Sequence, residues 1–426
     1  ILAPHFVIMV REYLIQKYGE DMVENGGLQV ITTLDTDLER KAEEVVAKYA
    51  AINTEKYKAS NAALTAIDPK TGQILAMVGS RDYFDISSDG QVNVTLAHRQ
   101  PGSSIKPVNY ALALSRGFTP ATTIDDSPIT YRIPGSPPYS PVNYDHRYHG
   151  RITLRTALAS SYNVPAVKLL SLNGISNMAN LGRQMGITTW TDPARFGLSL
   201  TLGSNEVTML DLATVFGVFA NSGNRIDLHP ILSVRDSKGR LLENYQSSVT
   251  NSQLVLDPRV AWLISDILSD NAARTPTFGS RSLLNISGYR VAVKTGTTNS
   301  LRDNWTIGYT PDLLVAAWVG NNDNTPMSYV ASGVTGASPI WNKIISALLP
   351  LYPKSEFVPP SGINRLATCS GKIDYFLSET TPPPCPTPTP NEALSLPKGE
   401  VGPTPQILPA ATAPPRRIIN PRKKPR

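Results

Sequence analysis

The order of apolar and polar residues along the chain predicts strands near both ends and helices between them. Apolar runs at 63–67 and 73–78 flank a turn at 68–72, where proline fixes φ and glycine permits positive φ, so we expect a β-hairpin. Three further β-rich runs come late in the chain, at 290–293, 305–309 and 313–319. The pattern predicts one sheet built from both ends of a domain, with a helical lobe inserted between them.

The first 58 residues have the pattern of helix, strand and helix, and we expect them to form a small connecting module. Residues 6–18 are amphipathic and stop at Gly19, and residues 28–34 are rich in β-formers. Asp35 or Thr36 can then cap a helix that runs to about residue 50. Further helices are predicted after a capping box at 208–211 and from apolar periodicity, over 212–220, 257–270 and 340–349.

The composition changes at about residue 359, where proline, threonine and serine become frequent. Because such a run forms neither helix nor central strand, we expect residues 360–426 to be mostly extended or disordered. The predicted domains are a linker module at 1–58, a main domain at 59–350 and a largely disordered basic tail at 351–426. Within the main domain we expect the sheet from 59–100 and 286–350, and the helix-rich lobe from about 101–285.

Bulk composition limits the classes of function. The chain has 426 residues, of which 41% are hydrophobic and 17% charged, which is enough for a sizeable core in two or three domains. It contains no run of about 18 apolar residues that would span a membrane. It starts with Ile1 rather than methionine, so we expect it to be part of a longer protein. The absence of a signal peptide then says little about where that protein resides.

The net charge of +6 lies in the tail, which has six basic side chains and no acidic ones after residue 400. Residues 1–400 are therefore neutral, and we expect no nucleic-acid partner. The basic tail is interpreted as a solvated segment, with contact to an anionic polymer as the alternative. Cys369 and Cys385 either close a disulfide loop or stay free thiols, and their scarcity argues against metal clusters and redox catalysis.

Ser103 and Lys106 carry the strongest chemical signal in the chain. They lie three residues apart after Pro101-Gly102, a loop that leads into a predicted helix, so both side chains fall on one face. A hydroxyl beside an amine is a nucleophile with its own base. Two further groups come later in the chain, Ser161-Tyr162-Asn163 and then Lys294-Thr295-Gly296. The ordered set predicts acyl transfer through a covalent serine ester.

Each of these short motifs also occurs elsewhere, at 395–398, 70–72, 171–173 and 222–224. The first copy lies in the proline-rich tail, the second in the hairpin turn and the other two at helix ends. Local structure therefore favours the three chosen motifs. In particular, Lys294 ends an apolar strand, where its side chain can border a cleft.

The chemistry gives each residue a role. Lys106 can accept the Ser103 proton only when it is neutral, so its reference pKa of about 10.4 must fall through burial and a nearby cation such as Lys294. Ser161 can relay a proton between the lysines and the leaving amine. The Asn163 carboxamide can hold a substrate amide as donor and acceptor at once.

A second wall of the predicted cleft suits a terminal carboxylate. Lys294, Thr295 and Thr297 offer a charge and hydroxyls, and Gly296 lets a substrate backbone approach the strand. The oxyanion hole would be the backbone N–H groups of Ser103 and Thr297. The predicted catalytic residues are Ser103, Lys106, Ser161, Asn163 and Lys294, and the predicted substrate-binding residues are Thr295, Gly296, Thr297, Ser104 and Tyr162.

Neither a metal nor a cofactor is expected. His98, His146 and His149 are interpreted as surface or loop residues, since their spacing predicts no metal site. Trp305 and Trp318 are interpreted as sheet core.

The three motifs resemble those of the penicillin-binding proteins. Residues 3–7 and 26–35 are similar to the linker that comes after the glycosyltransferase domain of class A members, and residues 67–72 and 100–103 to the start of their transpeptidase domain. The likeness covers about residues 1–350. It also includes Tyr139, Pro141, Asn143, Gly150 and residues 318–321.

The resemblance implies an α+β fold of the penicillin-binding protein and serine β-lactamase type, with a five-stranded antiparallel sheet flanked by helices and an inserted all-helical lobe. It implies a peptidoglycan D,D-transpeptidase in which Ser103 attacks the D-Ala-D-Ala end of a stem peptide and an amine on a second stem takes the acyl group. β-Lactams would acylate the same serine. The parent protein would carry a glycosyltransferase domain and an N-terminal membrane anchor, act on the outer side of the cytoplasmic membrane of a bacterium, and work with cell-wall assembly proteins.

Three alternatives differ in the fate of the acyl-enzyme. A serine β-lactamase needs a group that activates water, and residues 206–210 do not fit the Glu-x-x-Leu-Asn pattern of class A enzymes. A D,D-carboxypeptidase uses water in place of the acceptor amine, and the sequence excludes it poorly. A non-catalytic β-lactam sensor or scaffold would lack one of the active-site residues, all of which are present.

Overall fold

The structure is a computed structural model that describes residues 1–132, 135, 137–245, 252–328 and 335–384. Its helices are α1 (Pro4–Tyr18), α2 (Glu20–Glu24), α3 (Thr36–Tyr57), α4 (Lys106–Ser115), α5 (Leu154–Ala159), α6 (Asn163–Asn173), α7 (Ile175–Gln184), α8 (Met209–Ala220), α9 (Pro258–Ser269), α10 (Asn271–Phe278) and α11 (Ala337–Leu348). Its strands are β1 (Gln29–Thr32), β2 (Asn61–Ile67), β3 (Ile74–Val78), β4 (Thr123–Asp126), β5 (Gly150–Thr153), β6 (Asn224–Arg225), β7 (Ile231–Arg235), β8 (Leu241–Asn244), β9 (Gln253–Leu254), β10 (Ala292–Thr297), β11 (Asp303–Tyr309), β12 (Leu314–Gly320), β13 (Ile363–Ala367) and β14 (Ile373–Leu377). Within the described residues, no helix has the length and apolar character needed to cross a membrane.

The central sheet has the strand order β10, β11, β12, β2, β3, and every neighbouring pair is antiparallel. Early strands β2 and β3 thus join late strands β10 to β12, which confirms the prediction of one sheet built from both ends. The predicted turn between β2 and β3 is also present. Gly72 has a φ of 79°, and its N–H donates to Asp68 O at 2.9 Å.

Both faces of the central sheet are buried. Along β2, Ala63 and Ile67 pack into the core shared with the helical lobe, whereas Leu64 and Ala66 pack into the core shared with α3 and α11. Burying a large aliphatic side chain stabilises the fold by about 1.5–3 kcal/mol. The two helical layers therefore hold the sheet, and the active-site strand β10 at its edge, in a fixed position.

The chain between β3 and β10 forms the inserted lobe, as predicted, but the lobe is not entirely helical. It contains α4 to α10 and also the short strand pairs β4–β5, β6–β9 and β7–β8. These strands have two to five residues each, which is too short for an alternating pattern to stand out in the sequence.

The predicted helix, strand and helix at the start of the chain are confirmed as α1, β1 and α3. Asp35 caps α3 by accepting from the N–H groups of Asp37 and Leu38, each at 3.0 Å. β1 pairs with β7, and α3 lies against the sheet. Because Ile1–Pro384 forms one compact unit, the linker module is not a separate body.

The prediction that the main domain ends at residue 350 and a disordered tail follows is wrong for residues 351–384. β13 and β14 form an antiparallel hairpin there. The Tyr375 ring contacts the Trp262 ring edge to face at 4.9 Å, and the Asp374 carboxylate binds Arg155. Proline content around the hairpin suggested an extended chain, but the hairpin is stabilised by helices α5 and α9, which lie far away in sequence. Residues 385–426, including Cys385 and the basic tail, lie outside the described residues.

Candidate active site

The candidate nucleophile lies in a short turn at the entry to α4. Residues 102–105 form one 3₁₀ turn, and the Ser104 hydroxyl donates to Pro101 O at 2.7 Å. Lys106 comes next, as the first residue of α4. Ser103 is partly exposed and Lys106 is completely buried. Ser103 is thus partly open to solvent, while the Lys106 amine is shielded from water.

Three glycines allow this turn to approach the sheet edge. A Cβ atom on Gly102, where φ is +55°, would lie 2.8 Å from the backbone of Thr297. A Cβ atom on Gly203 would overlap the backbone of Gly102, and one on Gly296 would overlap Pro101 O. The turn therefore lies directly against β10, with no room for a side chain between them.

One turn holds Lys106. It consists of Ser161 and Tyr162, which precede α6, and Asn163, with which α6 begins. The Lys106 Nζ atom donates to Ser161 O at 2.6 Å, Tyr162 O at 3.1 Å and Asn163 Oδ1 at 2.7 Å. These contacts use all three hydrogens of an ammonium group. A neutral amine has two hydrogens and a lone pair, so deprotonation releases one contact and leaves Lys106 able to accept a proton.

Ser161 connects the two lysines. Its carbonyl accepts from Lys106, and its hydroxyl accepts from Lys294 Nζ at 2.8 Å. Ser161 has a φ of 63°, a left-handed conformation that costs a residue other than glycine of order 1–3 kcal/mol. Such strain persists because both the carbonyl and the hydroxyl are held by hydrogen bonds.

The Asn163 carboxamide is partly occupied by the protein itself. Its oxygen accepts from Lys106, and its nitrogen donates to Val142 O at 2.9 Å. One hydrogen of the amide remains for a substrate carbonyl.

The remaining predicted residues lie in β10. Lys294 Nζ also donates to Thr295 O at 2.9 Å. The Thr295 hydroxyl is buried and has no partner among the described residues. The Thr297 hydroxyl accepts from Asn304 Nδ2 at 3.0 Å and keeps its own hydrogen to donate. Neither hydroxyl donates to an acceptor within the described residues, and their role in carboxylate binding stays a prediction.

Electrostatics favour proton transfer at this site. Burial lowers the pKa of Lys106 well below its usual range, and the charge of Lys294 lowers it further, against a smaller opposing effect of Asp126. Burial and the Arg274 guanidinium lower the pKa of Lys294 to about 7. Arg274 is itself buried and donates to backbone carbonyls, including Leu268 O at 2.6 Å. Lys294 can thus lose a proton near neutral pH, and Lys106 loses its proton more readily than an exposed lysine.

Two other predicted substrate-binding residues are engaged by the protein itself. Ser104 is completely buried, and its hydroxyl shapes the turn by donating to Pro101 O. Tyr162 is also buried, with its ring stacked on His149 at a centroid distance of 4.0 Å. Their role in substrate binding stays a prediction.

Sequence reasoning missed two buried charged residues that act on the lysines, Asp126 and Arg274. No spacing relates either of them to the three motifs. Their effect depends on how β4 and α10 pack around the site, which the order of residues does not reveal.

Comparisons with known proteins agree with this geometry. A family profile described as penicillin binding protein transpeptidase domain matches residues 62–346. Penicillin-binding protein 1A of Neisseria lactamica is 35% identical over 323 residues, which are 74% of this chain and 39% of that protein. Penicillin-binding protein 2D of Bacillus subtilis is 32% identical over 401 residues, which are 89% of this chain and 56% of that protein. The chain thus spans about two fifths to just over half the length of these curated relatives.

Solved structures have the same fold. Penicillin-binding protein 1A from Haemophilus influenzae superposes with a TM-score of 0.77 at 21% identity, over 90% of this chain and 77% of that one. PonA1 from Mycobacterium tuberculosis, solved in complex with penicillin V, gives a TM-score of 0.71 at 25% identity, over 84% of this chain and 96% of that one. These similarities confirm the predicted α+β fold.

Proposed function

This chain belongs to the penicillin-binding protein transpeptidase family, a family of serine acyl-transfer enzymes, and we propose that it is a D,D-transpeptidase that cross-links peptidoglycan stem peptides. The observation that carries the proposal is the meeting of both lysines at Ser161. Lys106, from the helix after the nucleophile, donates to the backbone oxygen of Ser161 at 2.6 Å, and Lys294, from the sheet edge, donates to its hydroxyl at 2.8 Å. Both amines are thus gathered at one residue, whose hydroxyl can pass a proton to a leaving amine.

In the first half-reaction, neutral Lys106 accepts the proton of Ser103 as its oxygen attacks the carbonyl carbon between the two terminal D-alanines. The backbone N–H groups of Ser103 and Thr297 stabilise the oxyanion, and removal of one such donor typically costs about 10²–10³ in rate. The C–N bond breaks as the proton that Lys106 took from Ser103 passes through the Ser161 hydroxyl to the leaving nitrogen, which leaves Lys106 neutral again. Free D-alanine departs, and Ser103 holds the acyl group as an ester.

In the second half-reaction, the amine of a second stem peptide attacks the ester and loses a proton to Lys106. The new amide bond forms the cross-link, and Ser103 regains its proton. Lys294, Thr295 and Thr297 bind the terminal carboxylate of the donor in the first step. A β-lactam, whose carboxylate occupies the same place, acylates Ser103 without a departing amine.

A serine β-lactamase is disfavoured by the environment of the described carboxylates. Asp126 acts electrostatically on Lys106, but both of its oxygens already accept hydrogen bonds from Asn143 and His149. Asp126 is also completely buried, which shields it from a deacylating water.

The experiment that tests the proposal is intact mass measurement after incubation with benzylpenicillin. We expect wild type to gain the mass of one antibiotic molecule and to keep this adduct much longer than the turnover time of a β-lactamase. We expect Ser103→Ala to gain no mass. Rapid loss of the adduct would favour a β-lactamase, and no adduct on wild type would favour a non-catalytic scaffold.

A stem pentapeptide assay separates transpeptidase from carboxypeptidase. With a donor ending in D-Ala-D-Ala, we expect addition of a stem peptide amine to divert product from the hydrolysed tetrapeptide to the cross-linked dimer. Hydrolysis that is unaffected by the amine would instead identify a D,D-carboxypeptidase.

For the longer protein, we propose a class A enzyme with a glycosyltransferase domain and a membrane anchor ahead of this chain, working on the outer side of the bacterial cytoplasmic membrane with cell-wall assembly proteins. Support comes from the similarity to penicillin-binding protein 1A, of which this chain covers 39%. Contact of the basic tail with anionic cell-wall polymer stays a prediction. It is tested by wall binding in low and high salt with and without residues 401–426.

A further inference from the structure

The turn that holds Lys106 is itself held from outside by Asn143. Tyr162, the residue before α6, gives the helix no side-chain cap. Instead, Asn143 Oδ1 accepts from the backbone N–H groups of Asn163 at 2.8 Å and Val164 at 3.1 Å. Because a backbone N–H can only donate, these bonds fix the orientation of the Asn143 amide. Asn163 is thus held at its backbone by Asn143 while its side chain binds Lys106.

A buried carboxylate fixes Asn143 in turn. Asp126, the last residue of β4, is completely buried, and its two oxygens accept from Asn143 Nδ2 at 2.9 Å and 2.8 Å. It also accepts from the backbone N–H of His149 at 3.0 Å and from its Nδ1 at 2.6 Å. Asn143 Nδ2 further donates to Arg147 O at 2.8 Å. The donors of two residues thus converge on one carboxylate, and hydrogen bonds to a carboxylate are stronger than those to a neutral acceptor.

The same carboxylate reaches the turn by a second path. His149, bound to Asp126, stacks its ring on Tyr162 at 4.0 Å with an angle of 20° between the planes. Tyr162 lies between Ser161 and Asn163, and its carbonyl is one of the three acceptors of Lys106. One buried charge therefore supports the backbone of Asn163 through an amide and the ring of Tyr162 through an imidazole.

From these contacts we propose that Asp126 and Asn143 are positioning residues for the acylation chemistry, an inference that rests on the proposed function. Asp126 holds Asn143, Asn143 holds the start of α6, and the three oxygens around that start hold the Lys106 amine in one position. Neither residue touches the substrate. Their contribution is to keep the base in one place while it gives up one of its three hydrogen bonds.

The first test compares two variants that each remove an acceptor from a helix N-terminus. Asn143→Ala removes the acceptor of two N–H groups of α6, and Asp35→Ala removes the acceptor of two N–H groups of α3, on the other face of the sheet. The readout is the second-order rate constant of acylation by a fluorescent penicillin. We expect Asn143→Ala to lose about 10²-fold, the size typical of a small displacement at a catalytic centre, and Asp35→Ala to keep the wild-type rate.

The second test measures the acylation rate of Asn143→Asp as a function of pH. Because one variant is compared with itself at different pH values, a folding defect common to all of them does not affect the comparison. The new carboxyl faces the Asp126 carboxylate. The other ionisable neighbours of this network are Lys106, Tyr110, Tyr162 and His149, and His149 pairs with Asp145. The protonated form of the new carboxyl can donate to Asp126 and accept from the α6 N–H groups, as the amide does. We therefore expect the ratio of variant to wild-type acylation rate to rise at least several-fold between pH 8.5 and pH 6.

A ratio that does not change with pH, or equal losses in Asn143→Ala and Asp35→Ala, would overturn the positioning role. Failure of the wild-type protein to react with penicillin would overturn the proposed function, and the positioning role with it. The two failures are distinguishable because only the second affects the wild type.

Discussion

At Lys294, two physical effects act on one amine. Burial removes water from the ammonium group, and the nearby guanidinium of Arg274 opposes a second positive charge, so the pKa falls to about 7. Lys294 is also the only predicted source of positive charge for the substrate carboxylate. The lowered pKa conflicts with the role in carboxylate binding as pH rises, because Lys294 then loses the positive charge that attracts the carboxylate.

We therefore predict that acylation by a carboxylate-bearing β-lactam slows above pH 7. In the free enzyme about half of Lys294 is cationic at pH 7 and about a tenth at pH 8. Lys294→Arg keeps its charge at both values, because a guanidinium does not lose its proton in this range. The measurement is the second-order acylation rate constant, which reports the free enzyme, from pH 6 to pH 9. Identical profiles of wild type and Lys294→Arg above pH 7 would contradict the assignment.

A second prediction at this scale concerns Gly203. A Cβ atom there would overlap the backbone of Gly102, so the turn that carries Ser103 would have to shift from its position against β10. We expect Gly203→Ala to lower the acylation rate by about 10²-fold. Gly217→Ala is the control, since that glycine lies inside α8 with open space at its Cβ and should keep the wild-type rate. Gly239→Ala is a second control. Its φ is +76° and nothing lies within 4 Å of a Cβ there, so it shows the effect of backbone strain without overlap.

Between elements, Glu39 joins α3 to the outer strand β3. Its Oε2 accepts from Met77 N at 2.8 Å, while Oε1 has no partner among the described residues. Burial raises the pKa of Glu39 to about 7, against the opposing effect of the Met77 hydrogen bond. A folded-state pKa above the unfolded value means that the folded protein holds this proton more tightly. The contribution to stability is therefore present at low pH and lost as pH rises.

We predict that Glu39→Gln removes this loss of stability at rising pH. Between about pH 4.5 and pH 7 the Glu39 carboxyl should cost the wild type about 1.4 kcal/mol of unfolding free energy per pH unit, and a neutral amide should cost nothing. Urea unfolding at pH 5 and pH 8 measures the effect, with Glu39→Gln the more stable protein at pH 8. Glu44→Gln, at an exposed site one turn along α3, serves as the control. A pH dependence that persists unchanged in Glu39→Gln would rule this explanation out.

The C-terminal hairpin is a second case of contact between distant elements. Arg155 at the start of α5 binds Asp266 and Asp270 beside α9 and Asp374 of β14, all with at least partly buried side chains. α5 runs directly into the turn that contains Ser161. The hairpin thus helps to fix one side of the candidate active site from the far end of the chain.

On the scale of the whole molecule, this contact predicts how far the chain can be shortened. Ending the protein after residue 390 keeps both the unit Ile1–Pro384 and Cys385, with which Cys369 can form a disulfide, and we expect an unchanged melting temperature and acylation rate. Ending it after residue 358 removes β13 and β14, which exposes Trp262 and leaves Arg155 with one carboxylate fewer. We expect that truncation to melt several degrees lower, by differential scanning calorimetry. Equal melting temperatures of the two truncated proteins would show that the hairpin contributes nothing.

Much of the sheet and the three motifs could be predicted because their signals are local. The turn before Gly72, the cap at Asp35 and the capping box of α8 each involve residues within five positions of one another, so their geometry is set by neighbouring side chains. The hairpin at 363–377 could not be predicted in this way. Its stability depends on Trp262 and Arg155, more than 100 positions earlier in the chain.

By itself, the sequence determined which residue types are present for acyl transfer: a hydroxyl at 103, amines at 106 and 294, and the order in which they occur. Only the tertiary structure decided what each of them touches. Packing turned Ser104 and Tyr162 inward, gave Lys106 its three acceptors and placed Arg274 and Asp126 near the lysines. The physical reason is that burial and charge depend on distances through space, and residues far apart in the chain set those distances together.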